Sequence, residues 1–424
     1  LPVVHLGRTL AEDASAIVHR QQNAGLDVVY RQAGDKYILL EYGDNVLDLA
    51  YRLRVHALME SLKAEPVPGI VELSPGVRSL QINFDSRVAH VDRVIAALAA
   101  REATLPDAQH LSVNTRVLRL PMAWEDSDTL GAVARYRQSV RDTAPWLPSN
   151  TEFMRRINGL ASVDAVRDTL YRARYLTLGL GDVYLGAPCA VPVDPRHRLL
   201  TSKYSPARTF TPEGTVGIGG VYMCIYGMDS PGGYQLVGRT VPIWNSHLKN
   251  PVFGDEPWLL KFFDQVQFYP MSEQELTEYR ADFAAGRVGI EITHETFSLK
   301  EHLAFLERES ASIAAFKATQ KAAFDEERER WKEFAFAYAA LETPPEEDIP
   351  EGCDAVCAHV AGNIWKLLVA AGDRVKAGDA LLIIESMKME LKVVAPADGV
   401  VKKCLCREGT PVSAGQNLLA MEAA

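Results

Sequence analysis

Glu385-Ser386-Met387-Lys388-Met389-Glu390, near the end of a 424-residue chain, sets one lysine between two methionines. On a tight turn such a lysine holds its amine away from any core, flanked by two thioethers, which suits covalent attachment. A second group of chemically able residues lies upstream in three loops. Leu178-Gly-Leu-Gly-Asp182-Val-Tyr-Leu-Gly-Ala-Pro-Cys189 puts a carboxylate among glycines and apolar residues, where desolvation raises its pKa unless a donor compensates. Thr201-Ser-Lys203-Tyr204-Ser-Pro-Ala-Arg208 supplies cations and hydroxyls. Ile218-Gly219-Gly220 leads through Tyr222 to Tyr226 and on to Asp229-Ser-Pro-Gly232-Gly233-Tyr234-Gln235. Paired glycines beside amide and aromatic groups let backbone donors approach a small ligand, or simply serve the turns of a barrel.

The elements around Lys388 come from an internal repeat. Gly372-Asp-Arg-Val-Lys-Ala-Gly-Asp-Ala-Leu-Leu-Ile-Ile-Glu385 recurs 37 positions later as Gly409-Thr-Pro-Val-Ser-Ala-Gly-Gln-Asn-Leu-Leu-Ala-Met-Glu422, with seven of fourteen positions identical. The same offset sets Gly362 and Ile364 on Gly399 and Val401. Short apolar runs between Gly, Asp and Pro read as strands joined by tight turns, with Lys388 where the two halves meet. This resembles the biotinyl (biotin carboxyl carrier) domain, a flattened barrel of two four-stranded sheets about a pseudo-twofold axis. The related lipoyl domains usually carry Asp-Lys-Ala at the turn, so Met387 and Met389 favour biotin on Lys388. The resemblance implies a carrier of activated CO2, in which the cofactor performs the chemistry and the protein positions it.

Composition bounds the rest. At 424 residues, 47% hydrophobic and 24% charged, the chain fits two to four ordinary domains. A net charge of −10 argues against nucleic acid as a partner. No run of 18 apolar residues suggests a membrane-spanning helix, so no membrane partner is expected. The start at Leu1-Pro-Val-Val has neither a signal-peptide pattern nor an initiator methionine, which suggests a piece of a longer polypeptide. Six cysteines are too few and too clustered for a secreted disulfide framework, so reduced thiols in the cytoplasm are expected. Cys353, Cys357, His359, Cys404 and Cys406 fit the spacing of compact zinc sites poorly, and no metal is expected.

Residues 1–26 read as a connector from an upstream domain, with a helical stretch around Ala11 to Gln22. Residues 27–108 read as a small α+β domain. Its strands are Val28 to Tyr30, Tyr37 to Tyr42, Gly69 to Leu73 and Ser79 to Phe84; Asn45 caps a helix through Val46, Leu49 and Leu53, and a second helix spans Val88 to Ala100. Residues 109–297, rich in Gly, Pro and β-formers, suit an antiparallel barrel interrupted by helices near Asp128 to Val140 and Glu152 to Leu160. Gly179-x-Gly181 and Gly217-x-Gly219-Gly220 lack the strand, Gly-rich turn and helix order of a nucleotide cradle. Ser298 to Glu301 reads as a capping box opening a helical segment, 298–342, through Leu303, Leu306, Ile313, Phe316, Phe324 and Trp331. The acidic, proline-rich stretch 343–352 reads as a semi-rigid tether to the carrier, 353–424.

Several segments are similar to urea carboxylase, the carboxylating part of urea amidolyase. They are Gly179 to Pro188, Asp194 to Leu199, Lys203 to Thr209, Val216 to Gly220, Ser230 to Thr240 and Pro257 to Pro270. All but the last fall in its allophanate hydrolase subunit 1-like half, a family that includes a sporulation-kinase inhibitor. The resemblance implies a mainly β multidomain protein: a small α+β domain, a cyclophilin-like β-barrel, a helical linker and the biotinyl domain. It also implies that ATP, Mg and bicarbonate are used by a biotin carboxylase domain outside this chain. Biotin protein ligase would load Lys388, and carboxybiotin would swing to a carboxyltransferase of two related halves, subunit 2-like preceding subunit 1-like. Released CO2 would there be attacked by a urea nitrogen, deprotonated by the biotin ureido oxygen, to give allophanate. Asp182 is the first choice to accept hydrogen bonds from the substrate N–H groups. Tyr234 and Gln235, with backbone groups of Gly232 and Gly233, would line the pocket, and Lys203 and Arg208 would hold the new carboxylate or serve as ordinary ion-pair partners. The alternatives are a carboxylase of guanidine or another small amide or amidine, and a non-enzymatic regulatory module, against which the carrier argues.

Overall fold

The computed structural model describes residues 16–23, 25–181, 186–247, 250–342, 349–350, 352–386, 389–412 and 414–423. The first layer is an antiparallel sheet of β1 (Ile17–Asn23), β2 (Leu26–Ala33), β3 (Tyr37–Tyr42), β4 (Ile70–Pro75) and β5 (Ser79–Phe84), in the order β1-β2-β3-β5-β4. Helices α1 (Leu49–Ala64) and α2 (Val91–Ala103) cover one face, where Val28, Tyr30, Ile38, Leu40, Leu80 and Ile82 alternate inward toward Val55, Leu58, Val94 and Leu98. Two expectations fail here. The helix across Ala11 to Gln22 is replaced over its described part by β1, because Gly25 at φ +80° turns the chain back into a hairpin with β2. Helix α1 is capped by Asp48 rather than Asn45, whose neighbour Val46 is left exposed outside the helix. Glu102 is fully buried at the edge of this layer, accepting from Tyr42 Oη at 2.6 Å and Arg54 Nε at 2.8 Å.

The barrel follows. Its long wall is β6 (Ser112–Trp124), continued by β7 (Tyr175–Gly181), β8 (Ala187–Pro192), β10 (Thr215–Gly219), β11 (Tyr222–Ile225), β13 (Gln235–Thr240) and β14 (Gln265–Pro270). The order β13-β10-β11-β8-β7-β14-β6 closes on itself through β13–β6 pairing, and β15 (Glu291–Ser298) lies outside β6. At the closure, a Cβ on Gly238 would collide with the Ala123 carbonyl, so the strands meet only because that position is glycine. Pairing of β6 with β14 is parallel, a departure from a wholly antiparallel barrel. β9 (Arg208–Thr211) and β12 (Ser230–Gly232) form a separate ribbon. Helices α3 (Ser127–Ser139) and α4 (Asn150–Ile157) stand near their expected places. Two further helices were not foreseen: α5 (Val163–Arg172) and α6 (Glu273–Ala284). The full reciprocal capping box lies at Ser272 and Glu275 before α6, whereas Ser298 caps the next helix with its hydroxyl.

That next helix, α7 (Leu299–Arg308), is followed by the long α8 (Ser310–Glu342). The expected tether lies mostly outside the described residues. Beyond it come β16 (Asp354–Cys357), β17 (Gly362–Leu367), β18 (Arg374–Val375), β19 (Ala380–Ser386), β20 (Met389–Val394), β21 (Gly399–Cys404), β22 (Pro411–Val412) and β23 (Asn417–Ala423). They form two four-stranded sheets, β16-β23-β21-β18 and β20-β19-β17-β22. The repeat seen in the sequence maps strand onto strand: a shift of 37 carries β18 onto β22 and β19 onto β23, and Gly362 onto Gly399. It carries contacts too, since Cβ atoms on Gly362 and Gly399 would strike the carbonyls of Glu385 and Glu422, themselves one shift apart.

Candidate functional site

The segment 198–204, between η-turn Pro195–His197 and β9, brings most of the upstream candidates together. Helix α4 grips it at both ends through an asparagine. Asn158, the C-cap of α4, accepts from Leu200 N at 2.7 Å and donates to Leu200 O at 2.9 Å. Asn150, the first residue of α4, donates to Tyr204 Oη at 2.6 Å and accepts from Leu236 N of β13 at 2.8 Å. Between these grips Thr201 bridges to Gly220, and the Ser202 carbonyl accepts from Gln235 Nε2 at 2.9 Å. Lys203 is thereby set beside the start of β13.

Glycine spacing on β10 decides where Tyr234 sits. Its ring lies so close to Gly219 that a Cβ there would collide with it, and Gly217 is nearly as tight. Lys203 Nζ stands 5.3 Å from the ring centroid, within cation–π range. No carboxylate pairs with this ammonium among the described residues. Burial raises the Tyr234 phenol well above its usual range, so it stays protonated and can donate. Gln235 is wholly buried, and its Oε1 has no hydrogen-bond partner among the described residues. Cys189 and Cys224, beside the Ala190–Met223 pair of β8 and β11, line the neighbouring ground. Burial pushes the Cys224 thiol up to about 12 and raises Cys189 against the pull of Lys203, so both are neutral thiols rather than nucleophiles.

Arg208 does not share this face. It is 1% exposed, donates from Nη1 to the Tyr234 carbonyl at 2.7 Å and stacks 4.3 Å from the Tyr204 ring centroid. It therefore buttresses Tyr234 from behind. Gly233 gives its carbonyl to Tyr204 N at 2.7 Å, and Gly232 leaves room for the Tyr226 hydroxyl, so both glycines shape the turn. Asp182 lies outside the described residues, as do Met387 and Lys388. The strands on either side of these last two, β19 and β20, pair Ser386 with Met389. Sequence reading missed Asn150 and Asn158; eight residues apart at the ends of one helix, they carried no motif, only the cap preference of asparagine.

A closed barrel bearing Lys203 over the Tyr234 ring, followed by a duplicated two-sheet module, defines a carboxyltransferase-type fragment joined to a biotinyl-type domain. Residues 28–253 match the family described as carboxyltransferase domain, subdomain C and D, and the chain belongs to that family. Residues 355–421 match the family described as biotin-requiring enzyme. Over 400 residues the chain is 44% identical to a urea amidolyase of Lachancea kluyveri, covering 93% of this chain and 22% of that protein. It superposes on the Kluyveromyces lactis urea carboxylase with a TM-score of 0.70 at 40% identity, covering 96% of this chain and 36% of that one. A Bacillus subtilis biotin/lipoyl attachment protein is 45% identical over 64 residues, covering 15% of this chain and 88% of that protein. The chain thus spans about a fifth of the amidolyase and about a third of the carboxylase.

Proposed function

We propose that this chain is the second carboxyltransferase half and the carrier of a biotin- and ATP-dependent urea carboxylase that forms allophanate. The observation that carries the reading is the hairpin closed by Ser386 and Met389, in a duplicated module, on the same chain as the Lys203–Tyr234 face. That hairpin fits a covalently held biotin, because its two described strands, paired through Ser386 and Met389, end on either side of the attachment residue. Biotin, amide-linked to Lys388 and flanked by Met387 and Met389, supplies CO2 in activated form when bound.

Urea is small, neutral and weakly nucleophilic, so positioning must provide much of the rate. Asp182 accepts hydrogen bonds from its N–H groups, and the buried, unpaired Oε1 of Gln235 offers a second acceptor. Tyr234 donates from its protonated hydroxyl, and Lys203, which pairs with no carboxylate among the described residues, balances the charge of the carboxylate as it forms. Arg208 holds the Tyr234 backbone from behind, and Gly232 and Gly233 shape the turn that leads into it. The subunit 2-like half, the biotin carboxylase that consumes ATP, Mg and bicarbonate, and the cytoplasmic ligase that loads Lys388 complete the assembly.

Two measurements test this. Avidin should capture the chain but not its Lys388→Arg variant; equal capture would remove the carrier. In the full-length protein, ATP turnover should rise with urea and much less with guanidine, and the opposite order would reassign the acceptor.

A further inference from the structure

Helix α8 is more than a spacer. A stripe of buried Ile313, Gln320 and Glu327 and half-buried Phe316, Phe324 and Trp331 follows the three-and-four spacing of a packed helix face. Trp331 stacks on Phe153 of α4 with centroids 5.6 Å apart, and Glu327 pairs with Arg156 at 3.1 Å. Gln320 is the odd member, a polar side chain only 7% exposed near the middle of the stripe. Burying an amide is costly unless its hydrogen bonds are made. Both donors of its Nε2 are used, one to Asn158 Oδ1 at 2.8 Å and one to the Arg198 carbonyl at 2.8 Å.

Those two acceptors belong to the support of the candidate site. Asn158 holds both backbone groups of Leu200, and its amide can do so only in one orientation, because Oδ1 must face Leu200 N while Nδ2 faces Leu200 O and Met154 O. A second donor on Oδ1 fixes that orientation, and Gln320 is that donor. Its other bond pins Arg198, five residues before Lys203. Two residues beyond Leu200, the Ser202 carbonyl accepts from the side-chain amide of Gln235 at 2.9 Å.

We infer that Gln320 is a positioning residue for carboxyl transfer: by locking Asn158 and the Arg198 carbonyl, the helix leading to the carrier sets the 198–203 segment, and with it Lys203 and Gln235. This deepens the proposed function and rests on it for the identity of the reaction. Displacement of a site group by an ångström can cost on the order of 100-fold in rate. Gln320→Met keeps the length and packing of the side chain but removes its donor from the Arg198 carbonyl and from Asn158 Oδ1, which is left with Leu200 N alone. Glu327→Gln, two turns along the same stripe, weakens helix docking without touching the 198–203 segment.

The test uses the full-length protein. Gln320→Met should lower kcat for urea-dependent ATP turnover about tenfold, with ATP-dependent incorporation of labelled bicarbonate into the protein unchanged in the absence of urea. Backbone amide exchange in peptides covering 198–204 should rise in the same variant. Glu327→Gln should stay within about twofold of wild type in turnover and leave that exchange unchanged. Wild-type turnover and exchange in Gln320→Met would overturn the inference, and so would equal losses in both variants, which would make α8 only the root of a tether. If the wild-type protein shows no response to urea, the substrate reading fails, while the exchange comparison still decides the role of Gln320.

Discussion

The carrier and the barrel use opposite strategies to present a side chain. In the carrier the framework contacts recur: Gly372 N bonds the Val401 carbonyl as Gly409 N bonds that of Ile364, and β17 pairs with β22 as β21 pairs with β18. Its described core is apolar, built on residues such as Ile364, Leu382, Ile384, Val401 and Leu419. The barrel site is made once, by bonds between distant segments: Asn150 to Tyr204 and β13, Gln320 to Asn158, Gln235 to Ser202. The layer before it relies on a buried ion pair. A repeated apolar design tolerates motion as a unit, which suits a carrier, while a single network of directional bonds holds a few groups at fixed distances, which suits a site.

Removing the buried charge should give the largest effect. Glu102→Ala strips the carboxylate from Arg54, which is 5% exposed, and from the Tyr42 hydroxyl. Breaking such a pair by deleting one partner costs about 3–5 kcal/mol. Thermal unfolding should show the carboxyltransferase part melting earlier with the carrier transition unmoved; a shift in both would mean that the two regions unfold together. Gly399→Ala is the complementary variant. Its Cβ meets the Glu422 carbonyl, and forced overpacking costs about 1–3 kcal/mol. Here the carrier alone should lose stability, and Gly362→Ala should lose a similar amount, because the duplication gives both glycines the same neighbour.

The same difference explains what the sequence disclosed. Duplication leaves a signature at fixed offset, so the two-sheet module and its hairpin were legible in one chain, down to the glycines that begin each half. Composition and turn residues were enough for the barrel's existence, but not for α5 and α6, nor for the parallel β6–β14 pairing, which depends on segments about 150 residues apart. Three residues picked out as motifs, Lys203, Tyr234 and Gln235, converge in the fold. Their support was not legible, because a hydrogen bond from Gln320 to Asn158 has no local pattern. Arg208 shows the converse error, since a cation in a polar loop looks available until folding buries it behind Tyr234.

Lys203→Met separates function from stability in the barrel. The ammonium makes no salt bridge among the described residues and only touches the Tyr234 ring, so thermal unfolding should move little. If it balances the charge of the nascent carboxylate, kcat for urea-dependent turnover should fall about tenfold, equivalent to about 1.4 kcal/mol of transition-state stabilisation. A variant with wild-type kcat would make Lys203 a structural lid on the ring.

Mild acid should divide the two regions with the smallest effect. Three histidines of the carboxyltransferase part, His56, His197 and His302, have pKa values lowered chiefly by burial; Arg52, Arg172 and Arg198 respectively add to the effect, while Glu60, Asp194 and Asp48 with Asp194 oppose it. A histidine whose folded pKa is below its unfolded value near 6.5 binds a proton more readily once the chain unfolds. Stability from these groups is therefore intact above about pH 6.5 and declines as the pH falls below it. The carrier's one histidine, His359, is exposed on its surface. Between pH 7 and 5.5 the carboxyltransferase transition should move to lower temperature by more than the carrier transition, as followed by calorimetry. Equal movement would trace the acid response to net charge rather than to buried imidazoles.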